Sequence, residues 1–150
     1  MVLQCPALLK HMKIVESQKR LVYQPTRSIY QALSSEVVSK YEYNVHGCVF
    51  DELLGQPNRK LFDMMTKGSG AVRKQSPNFV ITTAGSDKNS ICYEVHAKAM
   101  DILEGRKHAP TFYPVVYSAP MEAYWTAREV WLSVNPSFGK TVDIEYYAPA

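Results

Sequence analysis

The sequence predicts an α/β domain built around a mainly parallel sheet, and three observations carry that prediction. Residues 45–50 (Val-His-Gly-Cys-Val-Phe) form a compact apolar segment, without alternation, that runs straight into Asp51 and Glu52. Such a run suits a strand buried on both faces of a parallel sheet. Residues 78–85 (Asn-Phe-Val-Ile-Thr-Thr-Ala-Gly) hold a second β-branched cluster, which also favours a strand. Between and after these two segments, apolar residues recur with helical period, and residues 111–118 return to strand composition. Strand, helix, strand, helix, strand at these lengths is the rhythm of right-handed βαβ crossovers.

Taken in order, residues 12–17 and 19–24 read as short strands, the second closed by Pro25. Residues 28–33 make a third candidate after the Pro25-Thr26-Arg27 turn. Pro57 suits a first helical turn, and Leu61, Phe62, Met64 and Met65 follow at helical spacing until Gly68. This spacing predicts a short amphipathic helix over roughly 57–66. A glycine- and base-containing loop over 68–77 leads into the strand at 78–85. Ile91, Cys92, Val95, Ala99, Ile102 and Leu103 then lie on one helical face, and Gly105 ends the pattern. The strand expected over 111–118 contains Pro114, a sign of an edge or a bulge. Thr126 and Glu129 have capping-box spacing and open a short helix with Val130 and Trp131, stopped by Asn135-Pro136. Residues 137–150 read as the beginning of a connection.

Composition narrows the class of function. A chain of 150 residues with 46% hydrophobic and 21% charged residues has the material for one domain core. Its apolar runs fall far short of the roughly 20 residues of a membrane span. The N-terminus lacks the pattern of a signal peptide, so a cytoplasmic setting is expected. Cys5, Cys48 and Cys92 are widely spaced and form no metal-binding pattern, as expected of reduced packing thiols. Seventeen bases interspersed with 14 acids give a net charge of +3, which leaves the partner open.

In open α/β sheets ligands bind beyond the carboxyl ends of the strands, and both buried strands end in polar groups. A buried strand terminating in Asp51-Glu52 is the arrangement many ATPases use, one carboxylate helping to hold Mg2+ and the next orienting the attacking water. Taken alone, the pair also fits a solvated turn. Thr82 and Thr83 place hydroxyls at the tip of the second strand, where they could contact a γ-phosphate or its water, and Gly85 permits a tight exit. Strand propensity and an ordinary turn explain the same residues.

The phosphate cradle that such a site requires, Gly-x-x-x-x-Gly-Lys-Ser/Thr after a strand, does not occur in these 150 residues. Gly139-Lys140-Thr141 imitates its tail, but Val134 stands where the first glycine should be and a helical segment precedes it. Gly68-Ser69-Gly70 likewise lacks the completing residues. His11, His46, His96 and His108 are scattered. Arg73 and Lys74 suit a solvated loop or a phosphate contact, and Trp125 and Trp131 suit core packing.

The order of these segments resembles the large subunit of tailed-phage terminases. The resemblance is carried by residues 46–53 (His-Gly-Cys-Val-Phe-Asp-Glu-Leu), 57–63 (Pro-Asn-Arg-Lys-Leu-Phe-Asp), 80–85, 113–117 (Tyr-Pro-Val-Val-Tyr), Trp125, Val130-Trp131 and 135–139 (Asn-Pro-Ser-Phe-Gly). It implies a partial P-loop NTPase-type (ASCE) three-layer fold, lacking the Walker A strand-loop-helix. It also implies an ATP-driven motor that packages double-stranded DNA into a procapsid. In that family Asp51 would be the Mg2+-associated acid of the Walker B strand and Glu52 the catalytic carboxylate. Thr82, Thr83 and Gly85 would form the coupling motif, and Lys40 lies near where some relatives present a basic finger to a neighbouring subunit's ATP.

The partners implied are DNA, the portal, the small terminase subunit and other large subunits, in the cytoplasm of a bacterial host and away from any membrane. Residues 1–120 would be the C-terminal half of the ATPase domain, and 121–150 its end with the start of a linker toward a nuclease domain. Leu54-Gly55 replaces the usual aromatic or histidine after Asp-Glu-Leu. The expected source is a truncated prophage reading frame or one piece of a split gene, inactive alone. Two further readings stand beside this one: a non-catalytic α/β module that binds DNA or protein, and a Mg2+-dependent hydrolase that uses Asp51 and Glu52 alone.

Overall fold

The computed structural model describes residues 2–34, 44–70 and 76–141. The chain divides into two compact units, Met1–Thr83 and Ala84–Ala150.

The first unit opens with a short helix α1 (Pro6–Leu9), started by its proline. Three strands follow, β1 (Met12–Val15), β2 (Arg20–Tyr23) and β3 (Ser28–Gln31), close to the spans read from the sequence. They form an antiparallel meander in the order β1-β2-β3. Lys19 and Arg27 turn the chain at its two corners with φ of 48° and 55°. Arg20 and Gln31 stand directly opposite one another, and the guanidinium donates from Nη2 to Gln31 Oε1 at 3.0 Å. No residue of the three strands is fully buried, and Ile29 and Tyr30 are exposed. The meander is therefore held by its ladders and cross-strand pairs more than by a core.

The core of this unit lies further along. Strand β4 (Cys48–Asp51) pairs in parallel with β5 (Asn78–Ile81), with Phe50 opposite Val80 and Asp51 opposite Ile81. The parallel pairing expected from the sequence is thus present, and the antiparallel meander forms a separate sheet. Helix α2 (Lys60–Gly70) connects the two strands. Phe50 packs on Phe62 of α2 with ring centroids 4.9 Å apart, and Phe50, Leu53, Leu61 and Met65 are buried.

Two details depart from the sequence reading. Helix α2 begins three residues after Pro57, because the Asn58 side chain accepts the Lys60 N–H at 2.9 Å and sets the start there. It also continues through Gly68, since one helical glycine costs only about 1 kcal/mol. The second departure concerns burial. The pleat puts Val49, Phe79 and Ile81 on the face opposite α2, and they remain 52%, 62% and 61% exposed. The strands are buried on one face, the one α2 covers, and not on both.

In the second unit, α3 (Ile91–Leu103) occupies the predicted span. The Ser90 hydroxyl caps it by accepting the Tyr93 N–H at 3.2 Å. Gly105 closes it at φ 74°, with its N–H donating to the Ile102 carbonyl at 3.1 Å. A left-handed residue at this position is the role only glycine fills without strain. Helix α4 spans Arg128–Val134 and stops at Asn135, whose side-chain amide donates to the Trp131 carbonyl. The expected capping box does not form. Ala127 is the N-cap, so Thr126 lies one residue outside and Glu129 one residue too early to reach back.

The strand expected over 111–118 is also absent as a strand. Burial alternates from Thr111 to Tyr117, with Tyr113 92% exposed and Val115 and Tyr117 58% exposed, yet none of these residues belongs to a ladder. Pro114 lacks a donor, and no described strand lies alongside. Trp125 is 76% exposed and so is not a core residue. Trp131 is half-buried against Phe138, with centroids 6.1 Å apart.

Candidate functional site

The site is assembled where β4 and β5 end together. Gly47 makes the entry to this pair possible: a Cβ there would lie 3.1 Å from the Pro77 carbonyl oxygen and 3.2 Å from its ring. Bridging bonds fasten the same point, Cys48 N–H to the Pro77 carbonyl at 3.0 Å and the Ser76 hydroxyl to the His46 carbonyl at 3.1 Å. Burial pushes the Cys48 thiol above its ordinary pKa, which suits a packing role. None of the three cysteines forms a disulfide.

From this fixed entry four residues of β4 carry the chain to Asp51. Asp51 and Glu52 are both exposed. Glu52 has φ 54° and ψ 61°, the left-handed conformation that side chains other than glycine and asparagine rarely adopt. Such a residue costs on the order of 1–3 kcal/mol and persists where its surroundings hold it. Here the holders are visible. Leu53, the next residue, is wholly buried, and Leu53–Gly55 form one turn of 3-10 helix. The Gly55 and Gln56 N–H groups bond the Glu52 and Leu53 carbonyls at 2.9 and 3.1 Å. The Leu54 N–H points across to β5 and donates to the Thr82 hydroxyl oxygen at 3.0 Å. That hydroxyl in turn donates to the Thr83 carbonyl at 3.0 Å.

Of the residues singled out in the sequence, Asp51, Glu52, Thr82 and Thr83 share the first unit and meet at this pair of strand ends. Gly85 belongs to the second unit and has no positive φ, so its backbone makes no special demand for glycine. Lys40, Arg73 and Lys74 lie outside the described residues. The Gly139-Lys140-Thr141 imitation of a phosphate loop is a turn closing α4, in which the Ser137 carbonyl accepts both the Lys140 and Thr141 N–H groups. His46 is exposed. Sequence reasoning missed the tie between Thr82 and Leu54. Two threonines at the tip of the second strand were visible, but the spacing of 28 residues between Leu54 and Thr82 carries no local signal.

Among the described residues no three His, Cys, Asp or Glu side chains gather into a metal cluster. The donor set at the strand ends, two carboxylates and threonine hydroxyls, consists of hard oxygen atoms. Mg2+ is commonly held by one or two carboxylates with waters and substrate phosphates completing its shell, so these residues fit that ion.

Comparison with known proteins decides the parentage. The chain is 30% identical over 139 residues to the terminase large subunit of Enterobacteria phage HK97, an alignment covering 89% of this chain and 26% of that protein. The chain is homologous to a segment of the phage terminase large subunit. The crystal structure of the HK97 bacteriophage large terminase matches 98% of this chain and 30% of its own length, with a TM-score of 0.81 at 25% identity. Protein YmfN of Escherichia coli (strain K12) is 29% identical over 101 residues, covering 67% of this chain and 22% of that one. The segment thus spans about a quarter of the curated relatives it matches. No protein-family model matches it. The resemblance read from the sequence is borne out, and with it the terminase fold. No helix among the described residues is long and apolar enough to cross a membrane.

Proposed function

We propose that this chain contributes the water-activating half of the ATPase that drives packaging of viral DNA. Asp51 would help to hold Mg2+, and Glu52 would orient and polarise the water that attacks the γ-phosphate. The observation that carries this reading is the left-handed Glu52 at the end of a parallel strand, fixed between the buried Leu53 and a hydroxyl of the neighbouring strand. Lys19 and Arg27 share this backbone conformation at corners of the meander, so what sets Glu52 apart is its place at the end of a parallel strand, beside a buried leucine and a hydroxyl just beyond the neighbouring strand, where a carboxylate can be held in one orientation. Mg2+–ATP, when bound, would supply charge neutralisation at the transferred phosphoryl group. Thr83 would contact the phosphate end and pass its presence to the following segment, with Gly85 at the exit and Lys40 as a basic contact to a neighbouring subunit's nucleotide.

On this reading residues 1–120 are the C-terminal half of the ATPase domain, and 121–150 its end with the beginning of a linker. The partners are double-stranded DNA, the portal, the small terminase subunit and further large subunits, in the cytoplasm of the host bacterium. The 150-residue chain alone hydrolyses no ATP, because it contains no backbone cradle with its lysine to hold the triphosphate. Steady-state phosphate release tests this. The expected result is no rate above that of a Glu52→Ala control, and appearance of hydrolysis once a terminase segment bearing the Gly-Lys-Thr loop is supplied in trans. Release by the isolated chain that depends on Glu52 would favour a Mg2+-dependent hydrolase. Absence of hydrolysis even in the assembled form would favour a non-catalytic binding module.

A further inference from the structure

We infer that Thr82 is a positioning residue for Glu52 and not a contact to nucleotide. This inference rests on the reading of Glu52 as the water-activating carboxylate. Strands β4 and β5 end in register, Asp51 opposite Ile81, and immediately beyond them the two chains part. Glu52 swings into the left-handed region and begins the turn Leu53–Gly55. Within that turn the N–H groups of Gly55 and Gln56 find carbonyls of Glu52 and Leu53. The Leu54 N–H is the first group of the turn that takes its acceptor from the neighbouring strand, at Thr82 Oγ1.

A hydroxyl carries one proton to donate and two lone pairs to accept. The Thr82 proton is directed to the Thr83 carbonyl, and one lone pair receives the Leu54 N–H. The side chain is thereby committed to the protein on both its donor and its acceptor side. It cannot give the same proton to a phosphate oxygen without releasing the Thr83 carbonyl. Its geometry serves another purpose: Leu53 pins the turn from inside the core, Thr82 pins it from the sheet, and Glu52 lies at the hinge between β4 and this doubly held turn. Any shift of residues 82–83 moves Leu54 and changes the backbone angle at Glu52. The coupling segment and the hydrolytic carboxylate are then linked by one hydrogen bond, a direct physical route between them.

The test compares Thr82→Val, which keeps shape and removes the hydroxyl, with Thr82→Ser, which keeps the hydroxyl. In the 150-residue chain the Leu54 amide should exchange with deuterium about five to ten times faster in Thr82→Val, as loss of one solvent-accessible hydrogen bond implies. The backbone chemical shifts of Glu52 should move away from left-handed values. Thr82→Ser should restore both, and amides of α3 should exchange alike in all three proteins, which controls for unfolding. In the assembly complemented in trans, Thr82→Val should lower kcat about tenfold with KM for ATP unchanged, and Thr82→Ser should recover it. Unchanged Leu54 exchange and unchanged Glu52 shifts in Thr82→Val overturn the positioning role, as does a rise in KM with kcat preserved. A wild-type assembly without hydrolysis overturns instead the catalytic reading of Glu52, because the exchange comparison uses no nucleotide.

Discussion

Residues 48–51 and 111–118 are alike as sequences and unlike as structures. Both are short, rich in β-branched and aromatic side chains, and expected to be strands. The first pairs with β5 through a continuous parallel register and rests on α2 through the Phe50 and Phe62 rings. The second shows alternating burial and belongs to no ladder. Propensity alone therefore does not make a strand, and pairing depends on whether an adjacent strand and a covering helix are supplied. The candidate functional residues Asp51, Glu52, Thr82 and Thr83 lie at the region that has both. A carboxylate can be aimed only from a backbone that cannot drift.

The sharpest way to break the comparison is to remove its buried anchor. Leu53→Ala deletes a side chain with no exposed surface and should destabilise the chain by about 2–5 kcal/mol. Val115→Ala, at a half-exposed position on the unpaired segment, should cost no more than about 0.5 kcal/mol. Urea titrations give both numbers, and similar losses at the two sites would show that 111–118 is as firmly held as β4. A smaller effect is expected from the glycines flanking the strand. Gly47→Ala must displace the Pro77 carbonyl and ring and should cost about 1–3 kcal/mol. Gly55→Ala meets nothing within 4 Å and should be neutral or stabilising by up to about 1 kcal/mol.

The smallest effect concerns pH. The Arg59 guanidinium, hydrogen-bonded at 2.8 Å, is the main cause holding the Asp63 carboxyl below its ordinary value of 3.8, with a further contribution from Lys67. Because the folded value is depressed, its stabilisation is fully present above the unfolded pKa near 3.8 and is lost as pH falls through the folded value. Arg59→Ala should flatten that part of the stability profile and lower neutral-pH stability by the same small amount, since solvent screens the pair. An unaltered acid limb in denaturant titrations would remove Asp63 from the account.

Much of this was legible in the sequence, and the exceptions have physical reasons. The three strands of the meander were marked by Pro25 and by strand formers. Helix α3 was marked by its period and Gly105. The start of α2 was set by a local bond from the Lys60 N–H to the Asn58 side chain that overrode the start suggested by Pro57, and the capping-box spacing at Thr126 was satisfied on paper by a helix that starts one residue later. At the site, Asp51, Glu52, Thr82 and Thr83 could be named from their places at strand ends. The left-handed backbone of Glu52 could not, because sequence signals such a conformation through glycine or asparagine and here the residue is a glutamate. Nor could the bond from Leu54 to Thr82, which exists only once β4 and β5 are aligned.

The central claim is that Glu52 acts on water in an ATPase site completed by a phosphate-binding loop. The most direct measurement is ATP hydrolysis and nucleotide affinity of the assembly complemented in trans, with Glu or Gln at position 52. Gln keeps the size and the backbone of the residue but cannot polarise water. The account predicts a fall in rate of about 10²–10⁴-fold with ATP binding essentially unchanged, because the loop supplies the phosphate affinity. Equal hydrolysis by Glu52→Gln would contradict the assignment of this strand end as the catalytic centre.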